Sequence, residues 1–580
     1  MQEIEFDAII YDHANEIWLG FKDSIFNFSV NNPSEILPTL STIETLCREE
    51  KLFAVGYLAY EAGQAMDNKA KVKLFNDYDL SCFRLYNDYT KFTNLPIPDD
   101  SFLLSSWAPS IEQVFYNKSI LAIKELIQSG YTYQVNYTFR LKNTLSGSAY
   151  SLFYSMVNSQ TPGYSAFLKF EDITVCSSSP ELFFTKNNSS LVCKPMKGTI
   201  RRGRTLSEDI ALKSKLKGSL KDQAENIMIV DMTRNDLGHI SKIGSVRTHD
   251  LFEIEKYPTV WQMTSTVESN SSESISNIFK ALFPCSSITG APKLSTMKII
   301  EQLESTPRGI YTGSIGMITP NLDCQFNVAI RTAVIDNQTK MLTYGVGGGV
   351  VWDSTDLGEY EEALLKAEVI TKPRPEFDLK ESFLWSAQDG YFLIEKHLDR
   401  LANSAELFDF SYDRQAIIAE LDRLSALLDR GKNYKVNLLL SKKGKRSLKW
   451  LEISANPPAN TGIKFGADPV NPEDWRLYHK TTLHDAQMKS IHDPFIEDEL
   501  YFNEKGQITE TSIANIAVEL EGKLYTPPVS CGLLPGIYRE YLLETGQLQE
   551  KIIHKDDLNS DSKIFLFNSV RKIWKAFLMK

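Results

Sequence analysis

Lys197 stands in the run Lys194-Pro195-Met196-Lys197-Gly198-Thr199, with Arg201, Arg202 and Arg204 close behind. A lysine between proline-led and glycine-led backbone can be held in one place. If burial lowers its pKa, the neutral amine is a nucleophile or an anion contact; otherwise the run is a solvent-facing basic turn. Glu359 and Glu362 are three residues apart on one predicted helix, so both can point to one side, and Glu225 lies on another. Carboxylates on two converging helices suit Mg2+, a hard cation that takes oxygen ligands and keeps water; the same residues would equally serve as solvated surface. Gly345-Val346-Gly347-Gly348-Gly349 lets backbone approach a ligand closely. It lacks both the Lys-Ser/Thr ending of a phosphate loop and the dinucleotide spacing, which excludes those two nucleotide readings. Further along come Lys480 in His479-Lys480-Thr481-Thr482, Glu510 ahead of Asn515-Ile516, and Leu533-Leu534-Pro535-Gly536-Ile537. A Schiff-base lysine there needs a cofactor cradle around it; without one, Lys480 is a surface lysine beside ordinary turns.

These residues need elements to carry them. The spacing of Ile120, Ile123, Leu126 and Ile127 predicts a helix over 117–129 that Gly130 stops. Helical periodicity recurs at 221–231, which carries Glu225, at 294–303, and at 359–369, which carries the Glu359/Glu362 pair. Strands are predicted at 53–60, 82–86, 165–170, 173–177 and the glycine-rich 343–353. The clearest seam is Ile370–Phe377, where a helix ends and Pro373 and Pro375 prevent regular pairing. Beyond it a new apolar pattern runs through a helix near 397–408 and strands at 435–440 and 524–526. No internal repeat is apparent.

At 580 residues the chain is too long for one core, and 42% hydrophobic with 11% aromatic residues is enough for several. Sixty-three Lys+Arg against 74 Asp+Glu give a formal charge of -11, which disfavours a broad nucleic-acid or anionic-membrane surface while leaving room for a local basic pocket. Seven cysteines without a CxxC argue against a disulfide scaffold or a cysteine-rich zinc site. The start is acidic where a signal peptide needs a basic and then an apolar run, and no stretch of 18 apolar residues occurs; a cytoplasmic enzyme without a transmembrane helix is expected.

Residues from about 110 to 369 resemble the chorismate-utilising enzymes. The text that carries the likeness is Gln134-Val135-Asn136, Ser179-Pro180-Glu181, Pro195-Met196-Lys197-Gly198-Thr199 and Ala224-Glu225-Asn226 leading to Asp231-Met232-Thr233-Arg234-Asn235-Asp236-Leu237-Gly238. It continues through Ser287-Ile288-Thr289-Gly290-Ala291-Pro292-Lys293, Arg308-Gly309-Ile310-Tyr311-Thr312-Gly313, Ile330-Arg331-Thr332, Gly347-Gly348-Gly349 and Glu359-Tyr360-Glu361-Glu362. Gly56-Tyr57-Leu58-Ala59-Tyr60-Glu61 is similar to the first region of the aminating members. The resemblance implies an α/β sandwich with extended antiparallel sheets that binds chorismate. It assigns Mg2+ to Glu225 and Glu362, assisted by Glu359, and substrate contacts to Arg331, Gly347, Gly348, Gly349, Thr289 and Lys293. Aminating enzymes of the 4-amino type commonly carry Lys where this chain has Lys197, and the anthranilate-forming ones usually carry Ala. The implied chemistry is attack by Lys197 on C2 of chorismate, loss of the C4 hydroxyl, and entry of ammonia at C4. That ammonia implies a separate glutamine amidotransferase subunit. Gln262 occupies a place where relatives often have His, and Gln cannot shuttle a proton near neutral pH.

Residues 378–580 resemble the fold-type IV pyridoxal-phosphate enzymes. His397-Leu398-Asp399-Arg400-Leu401 matches the segment whose Arg contacts the cofactor phosphate, Lys480 the cofactor lysine, and Glu510 the acid paired with the pyridine nitrogen. Ile537 and Tyr538 match the phosphate-binding turn, and Ser569 the late phosphate-side segment. His484 and Asn437 depart from Arg in many relatives. The expected architecture is therefore a multidomain α+β and α/β chain. It comprises an N-terminal synthase region (1–110), a chorismate-binding catalytic domain (111–369), a linker (370–377) and a two-subdomain pyridoxal-phosphate unit (378–580), through which a homodimer is expected. The implied sequence of reactions is amination of chorismate, then elimination of pyruvate to 4-aminobenzoate, a folate precursor. The alternatives are an anthranilate synthase component joined to an aminotransferase-like enzyme, and a non-catalytic regulatory or scaffold protein.

Overall fold

The computed structural model describes residues 5–160, 163–372, 375–454, 460–487 and 497–579. Pro373 and Arg374, inside the expected linker, lie outside them. The chain divides into two compact units: Met1–Arg201 with Lys213–Pro375, and Arg202–Leu212 with Glu376–Lys580.

The first unit is two sheets, with every pairing between the named strands antiparallel. One runs Gly290–Ala291, Gln134–Gly147, Met341–Val350, Thr332–Asp336, Ile173–Ser177, Ala166–Lys169, Ala8–Asp12, Ile17–Phe21. The other begins Met196–Arg201, Val260–Asn270, Ser190–Lys194, Leu182–Asn187, Cys324–Val328, Ser314–Ile318, Phe53–Leu58. Strand periodicity decides what each face meets. Ala8 and Ile10 join Val55, Tyr57, Ile315 and Met317 in one core between the sheets, while Ile9 faces the other way into a core under the helices Gln113–Gln128, Ala149–Ser159 and Asp356–Thr371. Ala54 and Leu58, one residue out of phase with Val55 and Tyr57, pack under Pro33–Glu49 and Ile275–Leu282. Residues 1–110 are not a region apart. Ala8–Asp12 pairs with Ala166–Lys169, and Phe53–Leu58 with Ser314–Ile318, so the boundary expected near 110 divides nothing compact.

The second unit has two layers of its own. An antiparallel sheet, Gly390–Tyr391, Leu379–Ser386, Asn433–Leu440, Arg446–Ile453, is backed on one face by the helices Ile394–Phe408 and Arg414–Ser425. A larger sheet mixes parallel pairs, such as Thr461–Phe465 with Glu497–Phe502, with antiparallel ones such as Asn515–Leu520 with Ile564–Asn568. This is the two-subdomain arrangement the sequence implies, with one departure. Arg202–Leu212 belongs to this unit although it lies 166 to 176 positions before residue 378, where that unit was expected to start.

Candidate active sites

In the first unit, one cavity gathers Lys197, Glu225, Glu359, Glu362, Arg331, Gly347 and Gly349 with Asn136, Glu181, Gln262, Tyr311 and Lys366. Lys197 enters it because its strand is irregular. Met196 pairs with Thr264 and Thr199 with Gln262, and the register slips between them. Such a bulge turns a side chain out of the regular alternation. Gly198 makes it feasible at φ 88°, where a Cβ would press within 2.9 Å of the Asp222 Cβ. Gln262 clasps the bulge, donating from Nε2 to the Gly198 carbonyl (2.8 Å) and accepting from Thr199 Oγ1 (2.8 Å). The residue that sequence comparison marks as a lost proton shuttle is thus a brace for the lysine strand.

Burial pushes the Lys197 pKa down, against the pull of the Glu225 carboxylate, and the Lys366 ammonium adds to the depression. A Cβ on Gly349 would come within 2.6 Å of Lys197 Nζ, so the amine has its place only because that strand carries glycine. The helix Leu220–Gly238 presents Glu225 and is capped where Ser219 Oγ accepts from Asp222 N. The helix Asp356–Thr371 is capped likewise by Thr355 Oγ1, accepting from Gly358 N. Glu359 accepts from Ser354 Oγ (2.6 Å), and Glu362 meets Lys366 Nζ (2.6 Å), which also donates to the Gly347 carbonyl (3.0 Å). Burial, then the neighbouring Glu362, raises the Glu359 pKa; burial raises that of Glu225; Lys366 lowers that of Glu362.

Among the described residues no three acidic, His or Cys side chains are close enough to hold a metal ion as they stand. The Lys366 ammonium is the cation beside Glu362. The donor set, carboxylates alone, nonetheless has the chemistry Mg2+ requires, and two of its members are held against their tendency to ionise unless a cation is near.

Some expected residues sit elsewhere. Lys293 Nζ binds Asp236 (2.8 Å) and the Leu282 carbonyl (3.1 Å), and it does not line the cavity. Thr289 is buried with Oγ1 on the Cys285 carbonyl (3.1 Å), and its own carbonyl accepts from Asn136 N (2.8 Å), so it holds a lining residue rather than lining the cavity itself. Gly348 faces the carboxylates: a Cβ would stand 3.0 Å from Glu359 Oε2. Arg331 lines the cavity from a left-handed backbone (φ 52°), its Nη1 donating to the Lys366 carbonyl (2.6 Å). Sequence reasoning gave no role to Glu181 or Lys366. Glu181 is buried, accepts from Ser287 Oγ (2.6 Å), and its pKa is pushed up to about 7 by burial. Lys366 was findable as the i+4 partner of Glu362.

The second unit has its own cavity, lined by Arg400, Lys480, His484, Glu510, Gly536, Ile537, Tyr538, Asn568 and Ser569, with Lys380 and Lys435 on the open face of the smaller sheet. The backbone of Lys480 is tied to that sheet by Lys380 N donating to the Lys480 carbonyl (2.9 Å). Glu510 accepts from Leu534 N (2.8 Å) and Asn515 Nδ2 (3.2 Å), and His484 Nε2 lies 3.6 Å from it. The helix Ile537–Glu544 starts at the cavity. The Gly536 position is a cradle that a side chain would fill, since a Cβ there would collide with Asn515 Oδ1. Open helix-start amides, a nearby Arg and a Ser make a fitting phosphate seat, and a buried acid beside a lysine suits a pyridine ring.

Arg400 is fixed by Glu381, to which it donates from Nε (2.9 Å) and Nη2 (2.8 Å) while Nη1 reaches the Pro535 carbonyl (3.1 Å). His397 also meets Glu381 (Nδ1, 2.6 Å), and burial lowers the His397 pKa against the pull of that carboxylate. Burial alone would raise the Glu381 pKa; Arg400 and then His397 overcome it and bring it to about 2. A carboxylate depressed in the fold contributes stability that is complete above its ordinary 4.5 and is lost as pH falls toward about 2. Glu381→Gln should therefore cost about 2–4 kcal/mol near neutrality, because it leaves a half-buried guanidinium without its carboxylate. The difference in thermal stability from the parent should narrow below pH 4.5; denaturation followed across pH 2–7 checks it, and a constant difference would refute it.

Comparison with known proteins bears on both units. The family model for chorismate binding enzymes matches residues 8–372, and that for amino-transferase class IV matches residues 378–576. The chain is 41% identical over 263 residues to a probable chloroplastic aminodeoxychorismate synthase of Oryza sativa subsp. japonica, covering 44% of this chain and 29% of that protein. It is 39% identical over 264 residues to aminodeoxychorismate synthase component 1 of Bacillus subtilis (45% of this chain, 56% of that one) and 32% identical over 354 residues to the Escherichia coli component 1 (60% and 75%). It thus spans between about a third and three quarters of the length of these curated relatives. Anthranilate synthase component I from Streptococcus pneumoniae shares the fold, with a TM-score of 0.54 at 22% identity over 64% of this chain and 93% of that one.

Proposed function

Because the chain belongs to the chorismate binding enzymes and continues into a class IV aminotransferase domain, we propose that it makes 4-aminobenzoate from chorismate in two steps. The observation that carries the reading is Lys197. Its bulged strand sends a half-buried amine of lowered pKa into the cavity that holds Glu225, Glu359 and Glu362. An amine there attacks C2 of chorismate while the C4 hydroxyl departs. Glu181, whose pKa burial lifts to about 7, keeps a large protonated fraction near neutrality and is the cavity group suited to give that hydroxyl its proton. Ammonia then adds at C4 and releases the lysine. Arg331 and the amides of the glycine strand face the substrate carboxylates. Glu225, Glu359 and Glu362 would hold Mg2+, which supplies charge to the ring carboxylate and the departing oxygen.

Two relatives are named component 1, which supports a separate glutamine amidotransferase as the source of ammonia. So do the cysteines. All seven are free, and burial raises each thiol, Cys47 and Cys285 to about 12, so none is a ready thiolate for glutamine hydrolysis. Free thiols also suit a reducing, cytoplasmic setting.

In the second unit Arg400, Ile537, Tyr538 and Ser569 would hold the phosphate of pyridoxal phosphate, and Glu510 its ring nitrogen. Bound there, the cofactor supplies an electron sink. Lys480 takes the C4 proton of the amino intermediate and returns a proton to the departing enolpyruvyl group, and aromatisation drives the elimination. The same reading pairs the chain with a second copy through this unit, where the edge strand Arg446–Ile453 leaves Trp450 and Leu451 exposed.

The full chain incubated with chorismate, ammonium, Mg2+ and pyridoxal phosphate should release 4-aminobenzoate and pyruvate in equal amounts, as resolved by chromatography. An ortho-amino product, or none, would overturn the proposal.

A further inference from the structure

The segment that follows the lysine strand folds with the other unit. Arg202–Leu212 lies within the residues matched by the chorismate binding family, yet it clusters with Glu376–Lys580. It is a compact strap. The Arg202 guanidinium grips Asp209 through Nε (2.8 Å) and Nη2 (2.7 Å), both side chains being almost fully buried. Gly203 N also donates to Asp209 Oδ1 (2.8 Å), and Gly203 tolerates no Cβ because one would collide with the Asp209 backbone.

The strap touches the two elements that bring Arg400 and Lys480 to the second cavity. Arg202 Nη2 donates to the carbonyl of Leu407 (3.0 Å), at the end of the helix that carries Arg400. Arg204 donates to the Pro472 carbonyl (3.1 Å) and to Glu473 (2.9 Å), and it lies 5.5 Å over the Tyr478 ring. The Arg204 carbonyl meets His479 Nε2 at 2.8 Å, and His479 immediately precedes Lys480.

A carbonyl can only accept, so His479 Nε2 carries the hydrogen. The ring is buried against Phe408, and burial lowers its pKa to about 4, so near neutrality its other nitrogen is bare. That nitrogen, Nδ1, accepts from Ser404 Oγ (2.9 Å), on the Arg400 helix again. His479 is thus a bridge of fixed tautomer between the strap and that helix, one residue from Lys480.

We infer that Arg202–Leu212 is a positioning strap for the cofactor site of the second unit, setting Lys480 through His479 and the Arg400 helix through Leu407. The inference rests on the class IV reading of that cavity. Binding of pyridoxal phosphate to the full chain tests it, followed by cofactor absorbance rather than turnover. His479→Phe keeps a flat buried ring and removes both hydrogen bonds. It should weaken cofactor binding about tenfold and shift the pH dependence of the bound-cofactor absorbance. His479→Gln retains a donor toward the Arg204 carbonyl and should restore most of the affinity. Asp209→Asn, which loosens Arg202, should weaken binding in the same direction. Ammonia-dependent amination of chorismate by each variant, within about twofold of the parent, reports an intact fold, since none of these residues lines the first cavity. Parent-like affinity and absorbance in His479→Phe would overturn the strap, as would a His479→Gln protein no better than His479→Phe. A parent protein that takes up no pyridoxal phosphate would overturn the class IV reading itself and the strap with it.

Discussion

Lys197→Ala should abolish formation of 4-aminobenzoate from chorismate, by on the order of 10³-fold or more, while conversion of supplied 4-amino-4-deoxychorismate proceeds at the parent rate. The size of the effect follows from what the amine does. It is a covalent partner held against the ring, and no neighbour can replace it: Glu225 and Glu362 are carboxylates, and the Lys366 ammonium is committed to Glu362 and the Gly347 carbonyl. The split between the two substrates separates a chemical loss from a folding loss. The parent profile should also show which form of the amine works. A protonated lysine has no lone pair, so the first step must fail as pH falls through the Lys197 pKa. Burial sets that pKa below the ordinary 10.5, which moves the failing limb toward acid. Rates of the first step across pH, read by coupling to excess second-step activity, check this. If Lys197→Ala makes 4-aminobenzoate at the parent rate, the covalent assignment is wrong.

Lys480→Ala should have the mirror-image result. Amination continues, 4-amino-4-deoxychorismate accumulates to the amount of chorismate consumed, and the second step falls by about 10²–10⁴-fold, the range for removing a positioned acid–base group. The same variant should lose the absorbance of covalently held cofactor while keeping some affinity through Arg400 and the start of the helix Ile537–Glu544. Chromatography of the products and a spectrum of the isolated protein read both effects. Continued release of pyruvate by Lys480→Ala would remove that lysine from the mechanism.

Much of this was legible from spacing. Glu359 and Glu362 at i and i+3 do reach one cavity, and Glu225 reaches it from a second helix. The glycines at 348 and 349 do mark a close approach, because Glu359 and Lys197 stand where their side chains would be, whereas Gly347 is pressed by Tyr137 and Thr138 of the neighbouring strand. Other features were hidden for physical reasons. Gln134–Gly147 is a fourteen-residue strand next to the end of its sheet, flanked outside only by short strands, but it buries Asn136, Thr138 and Arg140 along with its apolar residues, so alternation gives no signal. Their partners come from far along the chain: Glu304 accepts from Thr138 and pairs with Arg308, whose Nη2 reaches the Asn136 backbone carbonyl (2.6 Å). The bulge at Lys197 depends on which residues of Val260–Asn270 lie opposite, and one strand does not reveal its partner's register. Lys293 and Thr289 sit in motif text yet face Asp236 and Cys285 instead of the cavity, because a motif fixes neighbourhood and not direction.

The strap also changes what a cut in the chain would mean. A protease nick, or a cloning boundary, between 370 and 377 separates the sequence into two pieces without separating two folds. The C-terminal fragment would leave behind Arg202, Arg204 and Asp209, and with them the partner of His479. Whoever expresses the downstream piece alone would be handling a protein with an open seam beside its lysine, and its weakness as a catalyst would say little about the same residues in the whole enzyme.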